Sequence, residues 1–325
     1  VYESWPPASR AKILAGDDLR QILGSFMKRA YRRPVLDQEI DRMEGLYATL
    51  RDGGMDDQDA TVETLAAVLS APGFLQLTEP SLESRRRPLN DWELASRLSY
   101  FLWSTMPDDR LFELAAQERL SNPGVLRAEV DRMLADQKAA AFFQNFSSQW
   151  LGLDSIYNVA INPEFFPDFQ DETKDQMVAE TIAFFTRLVK QNRNAFDLID
   201  SKEAMLNAAL AKHYGVSGIS GQELRPVKLA PESHRGGILT HGSTLTLNSS
   251  GDDTHPIKRG VWILERLLGD PPPPPPPAVP TLAQESSDGD RLSLKEKLVA
   301  HRQEEACMTC HKKIDPWGIA FENYD

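Results

Sequence analysis

The chain holds two cysteines in 325 residues, and they stand in one motif, Cys307-Met308-Thr309-Cys310-His311. That placement rules out a fold stapled by disulfides spread along the chain, and 325 residues are enough to build a core without staples. The thiols therefore serve local chemistry, and the body is held by packed apolar faces. Cys-x-x-Cys-His is the attachment signature of c-type haem: two thiols add across two porphyrin vinyl groups, and the adjoining histidine offers an axial nitrogen to iron. Two intervening residues let one turn of helix present both sulfurs along one porphyrin edge.

Three rivals are weaker. Structural zinc needs four ligands, and only Cys307, Cys310 and His311 are local. A redox dithiol prefers a strand-to-helix setting, and a structural disulfide has no use for the histidine. We therefore expect one covalent haem c on Cys307 and Cys310, with His311 as proximal ligand to its iron. The other axial position decides between a closed electron carrier and an iron open to a reactant. Small cytochromes often take a downstream methionine there, but the sequence given ends at Asp325, so the ligand is expected from the helical region upstream or from a missing C-terminus.

His213 leads that search. Ser201 reads as the cap of a helix whose apolar face runs Leu206, Ala209 and Leu210 toward His213. The competing reading is a histidine that favours the macrodipole in a last helical turn before Gly215. His301, in a helical pattern with Leu294 and Leu298 leading into the motif, is a second candidate ligand, or a hydrogen-bonding partner of a haem propionate. Met205, His241 and His255 follow. Lys258 and Arg259, read as loop residues ahead of a proline run, are cofactor-binding candidates for the propionates, with ordinary surface charge as the competing reading. Asp315-Pro316-Trp317-Gly318 reads as a turn whose backbone carbonyl accepts the His311 Nδ1 hydrogen, with Trp317 covering the porphyrin edge.

The fold class expected is mainly α: two helical modules, then a loop-rich, proline-braced segment and a short haem-attachment segment. Residues 1–84 form the first module. Asp17 or Asp18 caps a helix with Leu19, Ile22, Leu23, Phe26 and Met27 on one face, Pro34 stops it, and two further helices follow. Residues 85–215 form the second. Asn90 and Glu93 make a capping box, Ser121 caps a later helix, and Ala139 to Leu151 and Glu172 to Lys190 give two more. Phe142, Phe143, Phe146, Trp150, Phe184 and Phe185 stand at helical spacing and read as core rather than as a cofactor box. Residues 216–290 are rich in Gly, Ser, Thr and Pro, with one short strand around Leu245 and Leu247. Pro271 to Pro277 makes a polyproline strut on the order of 20 Å, a spacer rather than a docking peptide. Residues 291–325 attach the haem.

The net charge of -12, with no basic block beyond Arg85 to Arg87, argues against nucleic acid as partner. No run reaches the eighteen or so apolar residues of a transmembrane segment. The start VYESWPPASR lacks a signal sequence and is expected to be trimmed. No Walker loop, nucleophile elbow or dinucleotide fingerprint is present, and the Asp108-Asp109 and Asp252-Asp253 pairs read as solvated caps and turns.

Several stretches carry a family resemblance: Arg29-Ala30-Tyr31-Arg32-Arg33-Pro34, Leu94 to Trp103, Leu210-Ala211-Lys212-His213-Tyr214-Gly215, Arg235-Gly236-Gly237, the proline run, and Cys307 to Asp325. The chain resembles the planctomycete cytochrome c-associated proteins, exported bacterial proteins of serial helical modules. The resemblance implies a haem-pocket place for His213 and for His301-Arg302, and implies that the chain is a piece or processed product of something longer. The expected function is electron transfer outside the cytoplasm, in the periplasm or at the cell surface. Its partners would be a redox protein and other subunits or haem domains of a larger assembly. Two other readings stay open: a peroxidase- or oxidase-like haem enzyme with an open iron site, and a structural subunit stapled by its haem.

Overall fold

The computed structural model describes residues 10, 13, 14, 18–77, 87–273, 305–322 and 324. His301, Arg302, the lead-in positions Leu294 and Leu298, and Pro274 to Pro277 of the strut lie outside the described residues. The fold is mainly helical, and the strands form one small sheet. The chain divides into two compact units, Val1–Phe142 and Phe143–Asp325.

In the first unit, α1 (Leu19–Tyr31), α2 (Asp37–Asp52), α3 (Asp57–Ser70) and the single turn α4 (Pro72–Leu75) enclose Leu23, Met27, Ala30, Tyr31, Leu65 and Val68. Asp18 caps α1, its carboxylate accepting from the Gln21 amide at 2.9 Å. That helix ends at Arg32, held in the left-handed region at φ 56°. The strain is offset by the Arg32 guanidinium, which donates to the carbonyls of Ala30, Gly73, Phe74 and Gln76 and so ties the end of α1 to α4. Next come α5 (Asp91–Trp103), α6 (Asp109–Ala116) and α7 (Pro123–Ala135). Asn90 and Glu93 form the expected capping box on α5, with both reciprocal hydrogen bonds present. The cap of α7 is Asn122 rather than Ser121, because Pro123 occupies the first helical position and shifts the start by one residue.

The helix α8 (Ala140–Leu151) leads into the second unit, where α9 (Glu172–Lys190) packs against it through aromatics. Phe185 stacks on Phe146 at 5.4 Å between centroids and meets Phe143 and Trp150 edge-on. Phe142, Phe143, Phe184 and Phe185 are core, as their spacing predicts, whereas Phe146 is exposed and Trp150 half-buried at the edge of the cluster; a buried aromatic contributes roughly 1.5–3 kcal/mol. Where Ser201 was expected to open a helix, Glu203–Leu206 is a strand, β1, paired antiparallel with β2 (Arg225–Lys228). Asn207 caps the short α10 (Ala208–His213) in its place. Tertiary pairing with β2 here outweighs the local helical spacing.

Residues after 215 hold more helix than their composition predicts. Leu245 and Leu247 lie in α11 (Gly242–Leu247) rather than in a strand, since so short an apolar run carries no decisive period. Lys258 and Arg259 lie in α12 (Pro256–Arg266), not in a loop; Pro256 at its first position is a start signal that a count of glycine and proline hides. Two indole donors fix α12 to the end of α8: Trp262 Nε1 gives to the Leu151 carbonyl at 2.8 Å, and Trp150 Nε1 to that of Arg266 at 2.7 Å. The last helix, α13 (Glu305–Ile319), carries the cysteine motif. Among the described residues no helix is long and apolar enough to cross a membrane.

Candidate functional site

The site is built on α13, and α12 is the platform beneath it. The two helices meet backbone to backbone: a Cβ on Gly260 would overlap the Ile314 carbonyl oxygen, and one on Gly318 would overlap that of Pro256. Ile314 is buried at the same contact. Around it, Arg259 Nη1 donates to the Phe321 carbonyl at 2.9 Å and to Glu322 Oε1 at 3.2 Å, and Thr254 Oγ1 donates to the same Glu322 oxygen at 2.9 Å. Tyr324 donates its hydroxyl to the His234 carbonyl, and Lys313 pairs with Asp270 at 2.7 Å. The residues after the motif are thus clamps that hold α13 on α12.

Helical spacing sets Cys307 and Cys310 three residues apart, on neighbouring turns of one face of α13, with His311 next along. Cys310 is half-buried; the Cys307 side chain lies outside the described residues. His311 is buried, and its Nδ1 lies 2.8 Å from Oδ1 of Asp315, itself only 3% exposed. A carboxylate acceptor makes Nδ1 the protonated nitrogen and leaves the lone pair of the neutral ring on Nε2. Met308, His311, Lys312, Asp315, Pro316 and Ile319 line a cleft of about 500 Å³ along this helix. Trp317, 43% exposed, is not among the residues that line this cleft.

Asp315 to Gly318 form no turn. The helix runs through Pro316 to Ile319, and the Nδ1 acceptor is the Asp315 side chain rather than a backbone carbonyl. Pro316 has no N–H to give the Lys312 carbonyl one turn back, so the helix passes through it at a cost, and the Gly318 contact with α12 holds the last turn in place. Arg259 is buried rather than surface charge, and it anchors the C-terminal turn; Lys258 is exposed and donates to the Ser249 carbonyl at 3.2 Å.

The candidate axial groups are spread over the second unit. His213 ends α10 with one side open to solvent and its ring against Phe169 at 5.8 Å and Tyr214 at 5.5 Å; desolvation, and then the Arg235 charge, lower its pKa. His255 caps α12, accepting from the Lys258 amide at 3.3 Å, and so sits on the platform that α13 covers. Met205 and His241 are buried in the interior. His241 belongs to a polar group that sequence reasoning missed. Glu180 accepts from the Tyr214 hydroxyl at 2.6 Å, Arg235 lies 4.0 Å over the Tyr214 ring, and Thr181 Oγ1 bridges His241 Nδ1 at 2.9 Å and Ser243 at 2.7 Å. Its only sequence signal is the pair of short stretches around Tyr214 and Arg235, which are far apart in the chain.

Chemically, the motif segment fits a porphyrin. The ring supplies four nitrogens to its iron, so the protein need give only an axial donor, and a buried imidazole oriented by a carboxylate is a suitable one. Among the described residues no group of three or more His, Cys, Asp or Glu side chains is gathered to hold a bare ion, and a haem site needs no such group.

Three family models match the chain in tandem. Residues 18–79 match PSD5, a protein of unknown function (DUF1595); residues 89–216 match PSD4, a protein of unknown function (DUF1592); and residues 235–325 match PSCyt3, a protein of unknown function (DUF1588). No curated protein and no solved structure matches.

Proposed function

Since the chain belongs to the planctomycete cytochrome c-associated family, whose three domains follow one another along it, we propose that it carries one c-type haem and passes electrons outside the cytoplasm. The reading rests on one observation above the others, the buried His311–Asp315 pair one residue beyond the second cysteine. Cys307 and Cys310 would hold the porphyrin by thioether bonds, and His311 Nε2 would hold its iron. The haem supplies one-electron exchange at that iron.

The chain's own residues attach and orient the group. Asp315 fixes the His311 tautomer, the glycine contacts fix α13, and Met308 and Ile319 give it an apolar, partly exposed border. A border open to solvent suits exchange with a partner surface, so a redox protein is the proposed partner. Thioether attachment takes place on the outer side of the cytoplasmic membrane, which argues for export to the periplasm or cell surface.

The test is expression with a competent c-type maturation system, followed by intact-mass measurement. The expected result is one added haem mass that resists acid extraction and is lost in the Cys307→Ala, Cys310→Ala double variant. Colourless protein, or zinc on the thiolates, would overturn the reading. A reduced spectrum unchanged by carbon monoxide supports the carrier; a high-spin form that binds the gas replaces it with a haem enzyme.

A further inference from the structure

Between α11 and α12 the second unit contains a cavity of about 10 Å³, bordered by Thr244 and Asn248 on one side, Arg259 and Ile263 on the other, and Leu245 and Phe321. Thr244 is 4% exposed, and its hydroxyl is sealed from solvent and meets no hydrogen-bonding partner among the described residues. A buried hydroxyl left in that condition is costly, and folded interiors rarely tolerate one. Asn248, the C-cap of α11 and equally buried, gives its Nδ2 hydrogen to the Thr244 carbonyl at 2.9 Å and keeps Oδ1 as an acceptor.

Size and charge narrow the occupant. A space of this volume takes one water-sized molecule. Among the described residues that line it there is a guanidinium and no carboxylate, a setting that repels a cation. Arg259 is itself paired with Glu322 at 3.2 Å, so its charge is met without an anion. What remains is a neutral group that accepts from a hydroxyl and donates to an amide oxygen, and water does both. A wholly apolar cavity stays dry, whereas polar side chains stand at this one from both helices. Asn248 and Trp262 also line a surface groove of about 290 Å³ along α12, which gives solvent a way in on that side.

We propose that this cavity holds one ordered water, which accepts the Thr244 hydroxyl hydrogen, donates to Asn248 Oδ1 and lies against the Arg259 guanidinium, completing a polar seam between α11 and α12. The site is independent of the cysteine motif, so it and the haem reading can fail separately. The test is oxygen-17 relaxation dispersion of the solvent with the full chain, which registers whole water molecules held in the interior and does not mistake hydroxyl proton exchange for them. Thr244→Val keeps the shape and a similar helix propensity and removes the hydroxyl. One long-lived water fewer than in the parent is expected, together with a lower urea midpoint, because Asn248 then loses its partner. A dry cavity predicts the opposite sign, since valine would remove an unmet polar group and leave the midpoint level or raise it. An unchanged number of long-lived waters in the variant, or a midpoint level with or above the parent, would therefore overturn the proposal. Should Thr244→Val fail to fold, a crystal structure of the parent chain decides: a water oxygen within about 3.2 Å of Thr244 Oγ1 upholds the site, and its absence there ends it.

Discussion

His311 gives its Nδ1 hydrogen to a carboxylate buried as deeply as itself, and the ring is more electron-rich for it than one facing a backbone carbonyl. An electron-rich axial nitrogen favours the oxidised iron, so the pair should hold the reduction potential down. Asp315→Asn keeps the shape and removes the charge. Outer-shell partners of metal-bound histidines are typically worth about 10–100-fold, and tenfold is about 59 mV for one electron, so the variant should titrate on the order of 60–120 mV higher. A potential unmoved by the substitution would show that the carboxylate does not act on the ring. The second axial ligand is also a question for single residues. A ligand variant, His213→Ala or His301→Ala, should convert a low-spin spectrum to one that binds carbon monoxide; a variant that leaves the spectrum intact clears that histidine. The exposed position of His213 at the end of α10, beside Phe169 and Tyr214, is the helix-end placement weighed against ligation from the sequence.

Among elements, the crossing of α12 and α13 is the most exacting contact. Gly260 and Gly318 let two helix backbones touch, and any side chain there meets a carbonyl oxygen that cannot move without its helix. Gly318→Ala and Gly260→Ala should each cost about 1–3 kcal/mol or more through overpacking, read as a lowered urea midpoint, and should speed proteolysis within 305–319. Parent-like midpoints and digestion rates in both would mean that the helices do not meet as described. What the sequence could and could not convey follows the same line. Asp18, Asn90 with Glu93, and the span Glu172–Lys190 were legible because caps and apolar periods are local signals. The close approach at Gly318 was not, because the atom that demands a glycine belongs to Pro256, on another helix. Asp315 was legible as a residue near His311 but not as its partner, since Pro316 reads as a helix breaker and so conceals the i, i+4 relation. Arg259 was legible as a charge near the motif, and only the packing of α13 shows that it is buried. The cavity between α11 and α12 escaped for the same reason: Thr244 and Arg259 reach it from different helices, and no local pattern joins them.

Across the whole molecule, the interior group around Glu180 makes stability respond to pH in a way that the surface charges do not. Burial pushes the Glu180 carboxyl up to about 7, against the opposing pull of the Tyr214 hydroxyl, Arg235 and the Gly242 amide. Below about pH 4.5, its ordinary value, folded and unfolded chains both keep the proton and this contribution to stability is whole. As pH rises from there toward 7, the unfolded chain releases the proton and the folded one holds it, so stability falls, by about 3 kcal/mol in all at 1.36 kcal/mol per pK unit. His241 acts with the opposite sign. Burial first, and Arg235 second, lower it to about 3, so its contribution is whole above its ordinary 6.5 and drains away as pH falls toward 3. The two slopes oppose one another between about pH 4.5 and 6.5, and a single melt cannot separate them; a difference between two chains can. Glu180→Gln keeps a hydrogen-bonding group beside Tyr214 and cannot ionise. Its urea-derived stability, compared with the parent at each pH, should improve steadily from pH 4.5 to 7 by up to about 3 kcal/mol, and should stay level below that range. A difference that does not change between pH 4.5 and 7 would mean that Glu180 titrates as an ordinary solvated carboxyl, and that the interior of the second unit is not closed around it.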